Sequence, residues 1–252
     1  MLYYLSMTQK SLSKNLSEHL KKEHKMTPVT AYLKEIVYGG TDGIVTTFAV
    51  VGGFAGAQTD VNAIPIVVVL LFGLANLFAD GTSMGLSNFL SIRSGQDVYN
   101  AERAREMNEV KTNPKAEFEE TIEILMDKGF SKKDAEEIAK LYSKNPEYWT
   151  DFMMNHELEL PNPTNENPYL TGLATFLAFL VFGFIPLIPY VFFRGVPLFT
   201  LSVVFTFFAL LLLGVLRLKV TKESPMRSVG EILLLGGVSA TLAFFVGTFF
   251  RA

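Results

Sequence analysis

The chain has 252 residues, of which 49% are hydrophobic and 19% are charged, and its net charge is −3. Soluble domains carry about 25% charged residues, so this composition favours a membrane protein. The near-neutral balance provides no basic surface for nucleic acid. Because the sequence has no cysteine, it excludes disulfides, thiolate zinc sites and iron–sulfur clusters.

Residues 1–30 form an N-terminal segment in which we expect no cleavable signal peptide, since the first residues lack a basic region and a small-residue cleavage site. The part from Lys10 to Lys25 mixes basic and acidic side chains. That mixture fits an amphipathic helix on a membrane surface and equally a solvated helix. The pattern assigns no role to His19 and His24.

Five stretches are apolar and long enough to cross a bilayer, whose ~30 Å core needs about 20 helical residues. Three of them carry no charge, and the first two hold one acid each, Asp42 and Asp80. The second, ending near residue 92, would be about 45 Å long as a helix. We therefore predict an all-α integral membrane protein with five transmembrane helices. The stretches cover residues 38–59, 61–92, 169–193, 195–216 and 232–250.

A soluble helical module is predicted between the second and third spans. Residues 94–168 hold 17 acidic and 9 basic residues, a net charge of −8. Helix starts are indicated by the Asn-Pro pairs at 113–114 and 145–146 and by Ser131, and a helix end by Gly129. We expect three or four short helices ending near Leu160, with Trp149 in their core and a linker, PNPTNENP, after them. The predicted divisions are 1–30, 31–94 (first two spans), 95–168 (module) and 169–252 (last three spans).

The basic residues near the membrane ends predict the orientation. The loop between the last two spans carries Arg217, Lys219, Lys222 and Arg227, whereas the opposite side has only two arginines. This bias favours a cytosolic N-terminus and a cytosolic module.

A polar stripe runs along the second span. Asn76, Asp80, Met84 and Asn88 recur every four residues and so follow one slowly winding line on a helix. Ionisable groups inside a span are costly and usually functional, and a thioether favours transition metals over Mg²⁺ and Ca²⁺. With Asp42, these residues form our candidate transport pathway. Met84 packing and Asp80 bonding to a neighbouring helix is the alternative.

Two further features bear on this pathway. Metal and protons would compete for the same buried oxygens, which is a physical basis for antiport. Glycine pairs four residues apart are typical of closely packed membrane helices, within one protomer or across a dimer. The pairs are Gly39 with Gly43, Gly52 with Gly56, and Gly81 with Gly85.

The module carries a second candidate site, for metal. Carboxylates spaced three apart on two predicted helices share common faces, and like charges so arranged repel unless a cation compensates. A third helix brings adjacent methionines, for which an acidic module has no obvious packing need. For the acids alone, a solvated acidic face is the competing interpretation. The residues are Glu106 and Glu109; Glu117, Glu120 and Glu123; and Met153, Met154 and Glu157, with His156 between them.

Three motifs resemble the vacuolar iron transporter family. They are EIVYGGTDGIVTTFA at residues 35–49, GLANLFADGTSMG at 73–85 and IPLIPY at 185–190. The resemblance extends from about residue 31 onward and includes the inserted module, which nodulin-like relatives lack. Some family members have glutamate where this chain has Asn76, so the metal preference or proton stoichiometry could differ here.

The resemblance implies a five-helix homodimer that moves Fe²⁺, and often Mn²⁺, out of the cytosol against protons, without a prosthetic group. Zn²⁺ and Co²⁺ are further candidate substrates. It implies a path between the subunits with Asp42 and Met84 as ligands, and a vacuolar-type or bacterial inner membrane as the location. The module ligands it implies are Glu106, Glu109, Glu117, Glu120, Met153, Met154 and Glu157.

Two other functions compete with transport. A membrane-anchored di-iron ferroxidase would use Glu-x-x-His motifs, but no histidine in this chain has a glutamate three residues before it. In a metal sensor the membrane part would be a passive anchor, and acids inside two spans argue against that. We therefore expect a transporter rather than an enzyme.

Overall fold

Helices and their connecting loops make up the part of the chain that the computed structural model describes, residues 27–58 and 65–250. The predicted helix at 10–25 lies outside these residues. The elements are α1 (Pro28–Ala31), α2 (Leu33–Ala57), α3 (Ile66–Thr112), α4 (Pro114–Asp127), α5 (Lys132–Tyr142), α6 (Pro146–His156), α7 (Pro168–Phe184), a 3₁₀ turn (Ile185–Leu187), α8 (Ile188–Phe192), α9 (Leu198–Thr221), a π-helical turn (Met226–Gly230) and α10 (Glu231–Thr248).

The chain divides into two units. One, here called the apolar unit, comprises the described residues up to Gly85 and those from Leu173 onward, and the other, the acidic module, comprises Leu86–Gly172. The sequence-based division at 95–168 uses different boundaries and stays a prediction.

Four helical segments among the described residues are long and apolar enough to cross a membrane. They are α3, residues 168–192, α9 and residues 226–248. The predicted first span, α2, is not among them. Asp42 and the glycines of its sequence, LKEIVYGGTDGIVTTFAVVGGFAGA, lower its mean hydropathy. The count of five therefore stays a prediction.

The helix of the second predicted span was expected to be unusually long and to project toward the module, and it extends further than the predicted end near residue 92. Helix α3 continues without a break to Thr112 and contains 47 residues, which corresponds to ~70 Å of helix. Residues 93–112 contain no proline and many alanine, glutamate and arginine residues, which favour helix. The helix ends where Asn113 precedes Pro114, because the residue before a proline disfavours the helical conformation.

Helix α2 packs closely against other helices of the apolar unit because the residues at its contacts are glycines, which have no side chain. A Cβ on Gly39 would lie 2.6 Å from the carbonyl oxygen of Thr175, and one on Gly43 would collide with that of Phe179. Near the other end of α2, a Cβ on Gly56 would collide with the carbonyl oxygen of Phe244 in α10. The expectation of close packing at these glycines is confirmed, and the contacts lie within one protomer.

The module helices begin and end where the sequence indicates. Ser131 caps α5 by accepting a hydrogen bond from the Asp134 amide, and Asn145 caps α6 in the same way. Gly129 adopts a φ of 97°, a conformation that glycine tolerates best. Trp149 is buried in the module core, as predicted. That core also contains Val110, Leu125, Ala135, Phe152 and Met153.

Candidate metal centre and membrane cavities

Three helices of the acidic module bring three carboxylates together. Glu106 lies on α3, Glu117 in the first turn of α4, and Glu157 at the C-terminal end of α6. One carboxylate oxygen from each lies within 4.8 Å of the other two. Glu106 and Glu117 are only 4% and 3% exposed, although charged side chains are rarely so buried without a partner. We call these three residues the carboxylate centre.

The module core holds Glu117 in this buried position. Thr121, one turn later on α4, donates a hydrogen bond to the Glu117 carbonyl and accepts one of 2.7 Å from the Trp149 indole. Trp149 itself lies in the core. Because a buried indole N–H needs an acceptor, this contact fixes α6 against α4.

Burial and mutual repulsion raise the proton affinity of the carboxylate centre. Burial, followed by the negative charge of Glu117, raises the pKa of Glu106 to about 8. Burial is also the largest cause of a raised pKa at Glu117 and at Glu157. One oxygen of Glu106 and one of Glu117 are buried without a hydrogen-bond partner among the described residues. Such oxygens are costly in a folded protein unless a proton or a cation satisfies them.

Two other predicted acids border the centre. The charges of Glu109 and Glu120 both contribute to the raised pKa of Glu157. Glu109 also lies 3.7 Å from the guanidinium of Arg105, whose positive charge opposes that rise. Glu123 is exposed and contributes to none of these shifts, and we do not place it in the centre.

The methionines require a correction. Met153 and Met154 are fully buried, and Met153 belongs to the module core, where its sulfur lies 3.4 Å from the Thr121 hydroxyl. The expectation that these residues have no packing role was therefore wrong for Met153, since an unbranched thioether fills core gaps well. Their assignment as metal ligands stays a prediction. His156 is exposed and its ring packs against Phe152.

The spacing of the carboxylate centre suits one divalent cation. Two oxygens on opposite sides of a small octahedral cation, each at ~2.1 Å, lie ~4.2 Å apart, so oxygens within 4.8 Å need only small side-chain movements. Carboxylates alone accept many divalent ions, and selection among them depends on geometry and on softer donors nearby.

The apolar unit contains two cavities that follow one another along α2. The first, about 680 Å³, is lined by α2 residues between positions 33 and 45, including Asp42, and by residues of α9 and α10. The second, about 700 Å³, is lined by α2 residues between positions 49 and 57, by Asn76 and Asp80 of α3, and by α10. Asp42 and Asp80 are close enough for their charges to repel each other.

The polar stripe is only partly brought together. Asp80 is exposed on the apolar unit, and a side-chain nitrogen of Asn76 is buried without a hydrogen-bond partner among the described residues. Met84 and Asn88 are half-buried and line neither cavity. Asn88 belongs to the acidic module by the division above.

Two charged residues that line the first cavity, Arg217 and Glu231, were not predicted to belong to a site. Arg217 was used only to predict the membrane orientation. It lines this cavity together with Glu231, and its Nη1 lies 2.8 Å from Glu231 Oε2. Arg103 on α3, which pairs with Glu147 and Asp151 of α6, was not predicted to have a role either. Each of these contacts joins residues of different helices that lie far apart in the sequence, so no local pattern could have indicated them.

These features define a polytopic helical membrane protein whose inserted module holds an acidic centre of two buried carboxylates and one exposed carboxylate. A family model described as "VIT family" matches residues 33–248. Vacuolar iron transporter 1 of Arabidopsis thaliana is 32% identical over 84% of this chain and 83% of its own length. The vacuolar iron transporter of Toxoplasma gondii is 33% identical over 97% of this chain and 83% of its own length. The chain belongs to the VIT family.

Proposed function

We propose that this protein moves divalent transition-metal cations, Fe²⁺ first among them, across a membrane, with α2 as a fifth span. One observation carries the proposal: Asp42 and Asp80, on two helices of the apolar unit, line two successive cavities along α2. Acids in membrane segments almost always face the bundle interior or a water-filled cavity. The names of the relatives, vacuolar iron transporters, supply the class of substrate.

The second acid supports a path completed by a second copy of the chain. Asp80 is exposed on a segment otherwise apolar enough to cross a membrane, where lipid would leave its carboxylate unsatisfied. A homodimer in which the partner covers this face would give Asp80 a polar surrounding. Met84, one turn further along α3, would add the softer donor that favours Fe²⁺ and Mn²⁺, with Zn²⁺ and Co²⁺ as weaker candidates.

The acidic module would capture cations before transport. Its net charge of −8 over residues 94–168 raises the local cation concentration. The carboxylate centre would hold one ion with Glu106, Glu117 and Glu157, while Glu109, Glu120, Met153 and Met154 complete the surroundings. This role requires the module to lie on the cytosolic side with the N-terminus, as the basic loop residues predict, for export from the cytosol.

Proton counter-flow would drive the transport. A carboxylate that releases its cation in a membrane cavity gains affinity for a proton, because the compensating charge has left. Asp42 and Asp80 would then bind protons in the metal-free state, and these protons would cross the membrane in the opposite direction to the metal. No histidine in the sequence follows a glutamate by three residues, and the Glu-x-x-His motif of ferritin-like di-iron sites therefore gives a ferroxidase no support.

Uptake of Fe²⁺ into proteoliposomes tests the proposal. We expect D42A and D80N each to lower the initial rate at least tenfold, since each removes a charge that offsets the cost of the cation in the membrane. E123Q, which removes an exposed acid outside the carboxylate centre, is the matched control and should transport like the wild type. Wild-type rates for D42A would overturn the assignment of the pathway.

A further inference from the structure

Arg103 joins α3 to α6 through two ion pairs. Its Nε lies 2.8 Å from Asp151 Oδ1 and its Nη2 lies 2.8 Å from Glu147 Oε2. The two acids are four residues apart and therefore share a face of α6. A guanidinium that donates from two nitrogens in a fixed plane is directional in a way that a lysine ammonium is not.

The other contacts between α3 and α6 are less directional. Val110 shares the module core with Trp149 and Met153, and Thr150 donates a long hydrogen bond of 3.6 Å to the Met107 sulfur. Apolar packing of this kind is non-directional, and methionine adapts to irregular gaps. These contacts bury α6, whereas the Arg103 pairs specify its rotation and position along α3.

The same two helix segments carry two members of the carboxylate centre. Glu106 follows Arg103 by three residues on α3, and Glu157 follows Asp151 by six residues at the end of α6. Glu117 comes from α4, which the hydrogen bond between Thr121 and Trp149 joins to α6. A shift of α6 relative to α3 would therefore displace Glu157 from Glu106.

Arg103 also offsets a repulsion. Helix α6 brings Glu147, Asp151 and Glu157 toward a segment of α3 that already holds Glu106, and like charges at such distances oppose docking. Arg103 pairs with the first two of these acids and offsets one of their two negative charges.

We propose that Arg103 is a positioning residue for the carboxylate centre, which holds α6 in the register that places Glu157 beside Glu106. This inference rests on the proposed function, because it has a consequence for metal only if the centre binds a cation.

Binding of Mn²⁺ to the full-length protein in detergent, followed by the EPR signal of free Mn²⁺, tests the proposal. The Mn²⁺ binding that is lost in E106Q is assigned to the carboxylate centre of the module. For this binding, R103A should raise the Kd about tenfold, the range typical for residues that orient metal ligands. R103K keeps the charge but not the planar fork, and it should raise the Kd by a smaller factor.

A double-mutant cycle separates positioning from general destabilisation. If Arg103 acts through Glu157, the R103A/E157Q double variant binds Mn²⁺ no more weakly than the weaker of the two single variants, because interacting sites are not additive. S131A is the matched control: it removes the cap of α5 without touching α3 or α6, and its Kd should stay at the wild-type value. The chain has one tryptophan, Trp149 of α6, whose emission reports whether α6 stays packed.

The outcomes distinguish the two claims. A wild-type Kd for R103A with packed Trp149, or fully additive effects of R103A and E157Q, would overturn the positioning role while leaving the metal centre intact. Unchanged Mn²⁺ binding by E106Q would instead overturn the metal centre on which the inference rests.

Discussion

Glu106 and Glu117 reach one point of the acidic module from two different helices, and each has a buried oxygen without a hydrogen-bond partner among the described residues. Without metal, the pair must hold a proton or bear the repulsion of two buried charges. With metal, the same oxygens become ligands. This exchange links metal binding to pH and to stability.

Replacing Glu106 with glutamine should abolish metal binding at the centre and should stabilise the metal-free protein. The neutral amide keeps the size of the side chain but supplies neither charge nor a bidentate acceptor. We expect the thermal stabilisation by Mn²⁺ to disappear in E106Q and the metal-free melting temperature at pH 8 to rise. E123Q, which replaces an exposed acid on α4, should show neither effect. If Mn²⁺ stabilised E106Q as much as the wild type, the assignment of Glu106 to the metal centre would be wrong.

The raised pKa of Glu106 predicts proton release on metal binding. With a pKa of about 8, Glu106 is mostly protonated at pH 7, so a cation that binds there should displace a proton from this group. Isothermal titration in buffers of different ionisation enthalpy measures this proton release. A binding enthalpy independent of the buffer at pH 7 would contradict the proton-bound state of Glu106.

The same shift predicts how the stability of the metal-free module depends on pH. The ordinary pKa of this group is 4.5 and the folded value is about 8, so the folded state keeps a proton that the unfolded state has lost. Stability from this group is therefore complete below about pH 4.5 and is lost as the pH rises through about 8. The decrease should be visible in melting temperatures and should be absent in E106Q.

The helix starts and the candidate acids could be predicted because they depend on local chemistry. Pro114 and Pro146 favour helix starts whatever the tertiary structure, and the spacing of Glu106 and Glu109 indicates that they lie on the same face of a helix. The core position of Met153 and the pairing of Arg103 with Asp151 depend on which helices meet, and no local pattern encodes that.

The close approach of α2 and α7 predicts opposite effects of two glycine substitutions. A Cβ at Gly43 would collide with the Phe179 carbonyl, and overpacking of this kind costs about 1–3 kcal/mol. Gly95, inside α3, has open space around its Cβ position, so alanine there should stabilise by about 0.5–1 kcal/mol. Melting temperatures in detergent should fall for G43A and rise for G95A; a rise for G43A would show that the helices are not so close.

The absence of cysteine allows a direct test of water in the first cavity. Ser239 lines that cavity with Asp42, whereas its neighbour Val238 is exposed on α10 and does not. In a bilayer, S239C should react quickly with a charged methanethiosulfonate reagent and V238C slowly, because the reagent needs water and an ionised thiol. Equal rates at both positions would contradict a hydrated cavity.

Asp42 and Asp80 are proposed to carry a divalent cation through the membrane together. Fe²⁺ uptake into proteoliposomes, recorded together with internal pH under an imposed proton gradient, tests this proposal most directly. We expect Fe²⁺ entry accompanied by proton exit in the wild type, with both fluxes lost in D42A and D80N. Wild-type Fe²⁺ entry no faster than in protein-free liposomes, or undiminished entry in either variant, would show that these two acids do not form the transport pathway.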